Sequence, residues 1–128
     1  MAENPENLKY TKEHEWIDPA TGKVGITNYA QHSLTDIVFV ELPELGRKVE
    51  QGKSFAVVES VKSVSDVFAP ASGTIAEVNS ELSGRPELIN NEPYAKGWIA
   101  KIKIANAAEL SKLFDKKGYD EYLKAQKH

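Results

Sequence analysis

The chain has 128 residues and a net charge of −3, with 16 Lys and Arg against 19 Asp and Glu. This length suits one domain over residues 1–128, and because neither charge forms a long block, no nucleic-acid partner is expected. The absence of cysteine excludes disulfide scaffolds, thiolate metal sites and cysteine nucleophiles, and the longest apolar run, IVFV, is too short to span a membrane.

Short strand patterns separated by turn residues dominate the first hundred positions. HEWID and KVGIT flank the turn-like PATG, an order that predicts a β-hairpin. Strands at this spacing predict a small antiparallel sandwich or barrel, and not a parallel sheet with helical crossovers. The later strand candidates lie between further turn signals: DIVFVEL, RKV, SFAVVES, DVFAP, TIAEVN and KGWIAKIKI.

Two non-strand segments interrupt this pattern. Asn28 is followed by Gln31 three residues later, which is close to a capping box and predicts a short helix with Asn28 as its N-cap. Residues 80–96 contain Gly84, two Asn and two Pro, and predict an irregular loop with one helical turn.

Residues 106–128 form the predicted C-terminal helical segment. Asn106 and Glu109 make a capping pair, and the apolar stripe that follows predicts a helix ending near Gly118, with a polar helical tail beyond it. The stripe consists of Leu110, Leu113 and Phe114.

The stretch AVVESVKSVSD places Lys62 between two strand patterns without Gly, Pro or Asn at the bend. A helix is the local alternative, because valines recur every third residue, but the β-branched and Ser content disfavours it. A tight reversal would expose Lys62 to solvent. A modifying enzyme could then bind the hairpin and accept the mobile amine in its active site. The other interpretation is an unmodified, solvated lysine.

Other site patterns are missing. His14 has no second His at zinc-protease spacing, the serines around Lys62 have no neighbouring His to act as a base, and no Gly-rich phosphate loop is present. No catalytic or metal-binding residue is therefore assigned.

Five stretches together resemble the glycine cleavage H-protein family of lipoyl carriers: LKYTKEHEWI, GITNYAQHSLTDIVFVELPELG, VVESVKSVSDVFAPASGTIAEVN, PELINNEPY and GWIAKIKI. The similarity covers nearly the whole chain, and ESVKS is its most specific part. It implies a mainly β fold, the antiparallel sandwich or hybrid barrel of lipoyl and biotinyl carriers, with short peripheral helices and a C-terminal helix. Thr35 stands where this family usually has Gly, which predicts a shifted turn before Asp36, and Ser63 stands where Ala is common.

The resemblance implies that Lys62 carries lipoic acid in amide linkage and that the chain is a non-catalytic carrier. Glycine decarboxylase (P protein), a pyridoxal phosphate enzyme, would load the aminomethyl group of glycine. Aminomethyltransferase (T protein), which depends on folate, would remove it, and dihydrolipoyl dehydrogenase (L protein) would reoxidise the carrier. These enzymes and the lipoylating enzymes are the expected partners. The alternative is a lipoyl relay that donates lipoate to other proteins.

The N-terminus MAENPENLKY lacks the apolar core of a secretory signal and the Arg-rich character of a transit peptide. The bacterial cytoplasm, without membrane association, is therefore the expected compartment. The protein is also expected to be a monomer. A mitochondrial matrix protein whose transit peptide had been removed would look the same.

An aminomethyl cargo must be kept from water, so a carrier is expected to offer a cleft with apolar walls and carboxylates for the ammonium. Glu13, Glu15 and Asp66 are the candidates for the polar end, with solvated surface charges as the alternative. Glu59, three residues before Lys62, is the candidate for recognition by the lipoylating enzyme, against a cross-strand or solvent-facing role.

Other interpretations of Lys62 make different demands. A biotin carrier would show Met on both sides of its lysine, whereas Val61 and Ser63 are the neighbours here, and the lipoyl domains of 2-oxoacid dehydrogenases usually show Asp-Lys-Ala. A Schiff-base enzyme needs a desolvated amine with a lowered pKa, which an exposed tip beside Glu59 and Asp66 does not provide. An unmodified binding module would keep the mass of the bare polypeptide.

Overall fold

Two antiparallel sheets make up the architecture in a computed structural model that describes residues 3–126. The strands within those residues are β1 Lys9–Tyr10, β2 Glu15–Ile17, β3 Lys23–Ile26, β4 Ile37–Glu41, β5 Lys48–Val49, β6 Ser54–Ser60, β7 Val64–Phe68, β8 Gly73–Val78 and β9 Ala100–Ile104. The larger sheet has the order β1-β2-β3-β9-β8-β5, and the smaller has the order β4-β6-β7. All strand pairs are antiparallel, which confirms the predicted fold class.

Two hairpins position the candidate site. The HEWID and KVGIT stretches form the predicted hairpin of β2 and β3, in which Glu15 lies opposite Ile26. In the hairpin of β6 and β7, Glu59 lies opposite Val64, and the chain reverses over residues 60–63. The second hairpin therefore places Lys62 at one end of the smaller sheet.

The main core brings together side chains from both sheets. In β9, Ala100 and Ile102 are buried whereas Lys103 is exposed, as in a strand with one face on the core. Burying an aliphatic side chain of this size contributes about 1.5–3 kcal/mol, so this cluster holds the two sheets together. Its larger members are Ile17, Val24, Ile26, Ile37, Val40, Phe55, Val58, Val67, Ile75, Leu82, Leu88, Ile89, Ile99 and Ile102.

The helices within residues 3–126 are peripheral. They are α1 Asn28–Leu34, α2 Leu88–Asn91, α3 Lys116–Gln126 and two 3₁₀ helices, Ser80–Ser83 and Ala107–Lys112. None of the helices in this described part of the chain has the length and apolarity to cross a membrane.

The N-cap of α1 is Thr27, and the prediction of Asn28 was wrong by one residue. Thr27 has an extended backbone, and its hydroxyl accepts a hydrogen bond from the Ala30 N–H at 3.2 Å. Asn28 is the first helical residue, and its side-chain oxygen accepts from the Gln31 side chain at 2.8 Å.

The C-terminal segment consists of two helices, and the predicted end of the first one near Gly118 was wrong. Asn106 caps the first helix as predicted, but that helix ends at Lys112. The chain then extends because Phe114 and Tyr10 exchange two backbone hydrogen bonds of 2.8 Å. Gly118 lies inside α3, which is the predicted helical tail.

A second apolar cluster holds α3 against the larger sheet. Tyr119 of α3 is fully buried and stacks on Tyr10 with ring centroids 4.7 Å apart. Its hydroxyl lies 2.8 Å from both His14 Nδ1 and the Thr27 hydroxyl. The helix is thus tied by one side chain to the start of β2 and to the cap of α1.

Candidate functional site

Ser60 closes the hairpin tip that carries Lys62. The Ser60 N–H donates to the Ser63 carbonyl at 2.8 Å, and the Ser60 hydroxyl accepts from the N–H groups of Lys62 at 3.1 Å and Ser63 at 3.0 Å. Neither Val61 nor Lys62 has a positive φ. A serine side chain therefore stabilises the reversal, and no glycine is required there.

The Lys62 side chain is exposed at this tip. Its Nζ donates to the carbonyl of Ser33, near the end of α1, at 3.3 Å. Among residues 3–126, no carboxylate forms an ion pair with this amine. The amine is accordingly accessible to a modifying enzyme.

Exposed apolar side chains surround the tip. Phe39, Glu59 and Val64 lie directly opposite one another across β4, β6 and β7, and therefore share one face of the smaller sheet. Phe39 is 49% exposed and Val64 is 66% exposed, while Val61 beside the lysine is 69% exposed. An exposed apolar surface of this kind is typical of an interaction site.

Asp66 lies on the same face, because it is opposite Val57 and two residues from Val64. Its carboxylate is exposed and accepts a hydrogen bond from the Ser54 hydroxyl at 2.9 Å. Asp66 is two residues before Phe68, which lines a cleft at the other end of β7. The strand therefore runs from the lysine tip, past Asp66, to this cleft.

A cleft of about 440 Å³ lies between the loop before β2, the end of β7 and the segment that leads into α3. Apolar side chains make up much of its wall, and charged side chains lie at Lys12, Glu13, Glu15 and Lys112. Glu109 does not line the cleft but fixes the 3₁₀ helix that ends at Lys112, because its carboxylate accepts from the Ser72 N–H at 2.7 Å and the Ser72 hydroxyl at 2.9 Å. The apolar wall residues are Tyr10, Phe68, Ala69, Pro70, Leu113 and Phe114.

Glu15 is the buried acid of this cleft, with 2% of its surface exposed. One carboxyl oxygen accepts from the Thr11 hydroxyl at 2.5 Å, and the other accepts from the Phe68 N–H at 3.0 Å. No Lys, Arg or His among residues 3–126 forms an ion pair with it. Burial raises the pKa of Glu15 to about 7, although both hydrogen bonds lower it.

The structure brings together only some of the predicted residues. Glu13 and Glu15 line the same cleft, with Glu13 exposed at its edge. Asp66 and Glu59 do not line it and lie on the outer face of the smaller sheet.

Sequence reasoning missed three groups: the Thr11 hydroxyl, the Phe68 N–H and the Ser60 hydroxyl. A Thr four residues before a Glu is too common a spacing to single out Thr11, and Phe68 is 53 residues from its partner. The serine beside the tip is the one signal that could have been used, since Ser side chains often hydrogen-bond turn backbones.

Comparisons with known proteins agree with this geometry. The family model described as glycine cleavage H-protein matches residues 8–126. The glycine cleavage system H protein of Symbiobacterium thermophilum is 55% identical over 126 residues, covering 97% of this chain and 98% of that one. The Thermus thermophilus protein of the same name is 51% identical over 124 residues, covering 95% and 97%.

A solved structure shows the same fold. The crystal structure of a glycine cleavage system H protein from Mycobacterium marinum matches with a TM-score of 0.83 and 40% identity, over 96% of this chain and 98% of that chain. The resemblance found in the sequence is confirmed over nearly the full length. The chain therefore belongs to the glycine cleavage H-protein family, the non-catalytic lipoyl carrier component of the glycine cleavage system.

Proposed function

We propose that Lys62 is the residue that holds lipoic acid, in amide linkage to its Nζ. The observation that carries this proposal is the exposed amine on a stiff hairpin tip, without an ion pair among residues 3–126. Acylation removes the ammonium charge, and within residues 3–126 it disturbs one side-chain hydrogen bond, the one to the Ser33 carbonyl. When attached, the lipoyl group supplies the disulfide that takes up the aminomethyl group of glycine.

The cleft residues fit an aliphatic arm with a cationic cargo. Apolar walls at Tyr10, Phe68 and Phe114 exclude water, and Glu15 is a buried acid with no cation of its own among the described residues. We assign to Glu15 the role of anionic partner for the ammonium, and to Glu13 a supporting charge at the edge.

Asp66 is proposed as a carboxylate on the route along β7 between tip and cleft.

Glu59 is proposed as the residue that a lipoylating enzyme recognises. It lies between Phe39 and Val64 on the exposed face beside the tip, so an enzyme that binds this face would meet its carboxylate. Glu59→Gln is expected to slow lipoylation of the purified protein, measured as the rate of mass increase. Glu44→Gln, an exposed acid outside this face, is the control. Equal rates in both variants would leave Glu59 as an ordinary surface charge.

The partners that we propose are glycine decarboxylase, aminomethyltransferase and dihydrolipoyl dehydrogenase, together with the lipoylating enzymes. Each acts on the group at Lys62, so all of them have to approach the same tip. We further propose one carrier domain over residues 1–128, with residues 106–128 as its C-terminal helical segment, acting as a monomer. The bacterial cytoplasm is the proposed compartment, or the mitochondrial matrix if a transit peptide has been removed.

Intact mass tests the attachment most directly. Protein expressed in a host that lipoylates proteins should gain one lipoyl increment, and peptide mapping should place it on Lys62. Lys62→Arg should abolish the increment, whereas Lys53→Arg, an exposed lysine at another turn, should keep it. A persistent absence of the increment in the parent protein would overturn the proposal.

A further inference from the structure

Thr11 lies at the centre of the loop that presents Glu15 to the cleft. Its hydroxyl oxygen accepts hydrogen bonds from the N–H of Glu13 at 3.2 Å and the N–H of Glu15 at 3.0 Å. A hydroxyl has two lone pairs and one proton. Both lone pairs are therefore occupied, and the proton has one partner, the Glu15 carboxyl oxygen at 2.5 Å.

This arrangement makes Thr11 an obligatory donor toward Glu15. The second carboxyl oxygen accepts from the backbone N–H of Phe68, which also can only donate. Glu15 thus meets donors at both oxygens, which is an environment for the ionised form, although burial favours the neutral form. We propose that Thr11 is a positioning residue that holds the Glu15 carboxyl in the cleft wall, ready to act as an anion toward a cation entering the cleft.

Among the groups around Glu15, Thr11 is the main one that favours the ionised carboxylate. Glu13 from the same loop opposes ionisation of Glu15. The Thr11 hydrogen bond is the foremost of the interactions that lower the pKa of Glu15 against the effect of burial. The other titratable groups that line the cleft are Tyr10, Lys12 and Lys112, and Tyr119 of α3 interacts electrostatically with Glu15.

The inference rests on the proposed function only for the identity of the cation, the ammonium of the cargo. Its test therefore uses unlipoylated protein. With ¹³C-labelled glutamate, the carboxyl carbon of Glu15 is followed by NMR from pH 4 to pH 9 in the parent, Thr11→Val and Thr11→Ser. Thr21→Val is the matched control, because the Thr21 hydroxyl also accepts a turn N–H, that of Lys23, but does not contact Glu15.

The parent should titrate near pH 7, and Thr11→Val should titrate about one pH unit higher because one donor to the carboxylate is lost. Thr11→Ser and Thr21→Val should titrate close to the parent. An unchanged midpoint in Thr11→Val, or equal displacement in Thr11→Ser, would overturn the inference. If Thr11→Val does not fold, the NMR spectrum of the parent provides the test. A coupling between the Thr11 hydroxyl proton and the Glu15 carboxyl carbon supports the role, and the absence of this coupling contradicts it.

A second measurement separates this inference from the proposed function. In lipoylated protein carrying the aminomethyl cargo, Thr11→Val should release the cargo to water faster than Thr21→Val. If the titration shifts as expected while the release rate does not change, Thr11 still positions Glu15, and the proposed role of Glu15 toward the cargo fails.

Discussion

Thr35 adopts a backbone conformation that is almost reserved for glycine, with φ 66° and ψ −149°. It stands where the family usually has Gly, and the sequence predicted a shifted turn. The Thr35 N–H donates to the Gln31 carbonyl one helical turn earlier, and the Thr35 carbonyl accepts from the distant Asn90 side chain at 2.8 Å. These two contacts hold the turn, and its shift stays a prediction. Such a conformation costs a non-glycine residue about 1–3 kcal/mol, so the strain is stored at this residue.

Thr35→Gly is therefore expected to stabilise the protein by about 1 kcal/mol, since relief of strain exceeds the entropy that glycine loses on folding. Urea unfolding measures this free energy. Ser33→Gly is the control, because Ser33 lies within α1, where glycine should destabilise by about 0.5 kcal/mol. Equal destabilisation by both changes would show that Thr35 is not strained.

Glu15 should make stability depend on pH in a defined direction. Its pKa is raised from 4.5 to about 7 by burial, so between these values the native state binds more protons than the unfolded state. Stability should therefore fall as pH rises from 4.5 through 7. Glu15→Gln removes this slope. The free energy of unfolding of Glu15→Gln minus that of the parent should therefore rise by up to about 3 kcal/mol from pH 4 to pH 8.

Denaturant unfolding across that range measures the slope, with Glu44→Gln, a change of an exposed acid away from the cleft, as the control. Burial lowers the pKa of His14, so its contribution has the opposite sign, but it is common to all these variants and cancels in their differences. Parallel pH profiles for the parent and Glu15→Gln would contradict the account of Glu15 as a buried acid.

At the scale of elements, the segment that leads into α3 forms one wall of the cleft. Leu113 and Phe114 line the cleft immediately before α3 begins. The helix is held by Tyr119, whose hydroxyl is buried between His14 and Thr27. The packing of α3 on the sheet therefore helps to hold this wall in place.

Tyr119→Phe is expected to cost about 1–3 kcal/mol, because it leaves buried polar groups of His14 and Thr27 without their partner. Thermal unfolding gives the total loss, and amide hydrogen exchange should show it concentrated in α3. Tyr122→Phe is the matched control on the same helix: its hydroxyl donates to the Lys12 carbonyl at the surface, and its loss should cost much less. Equal effects would mean that Tyr119 does not lock the helix.

At the scale of the whole molecule, the residue proposed for the function lies apart from the residues that stabilise the fold. Lys62, the proposed attachment residue, stands on an exposed tip, whereas the cores that hold the fold lie between the sheets and under α3. Changing the side chain at the tip should therefore leave the cores undisturbed.

Lys62→Arg should abolish glycine decarboxylation in the reconstituted system, because an arginine cannot form the lipoyl amide. The free energy of unfolding should change by less than about 0.5 kcal/mol, since an exposed tip contributes little to stability. Enzyme assay and urea unfolding of the same preparation check both statements, with Lys53→Arg as the control. Decarboxylation that survived in Lys62→Arg would show that another residue carries the group.

The sequence by itself determined the strand pattern, the hairpin with Lys62 at its tip and the cap at Asn106. Apolar alternation and turn chemistry act over a few residues, so they can be recognised without a structure. The same local signals misplaced the cap of α1 by one residue, because Thr27 and Asn28 are both good caps.

Only the tertiary structure decided where the predicted acids lie. Glu15 is buried with Thr11 and the distant Phe68 as partners, while Asp66, which looked equivalent in sequence, is exposed on the outer face. Likewise, the last 3₁₀ helix ends at Lys112 because Phe114 pairs with Tyr10 from the other end of the chain. Burial and hydrogen-bond partners depend on residues far apart in sequence, and these set the pKa and the geometry of a site.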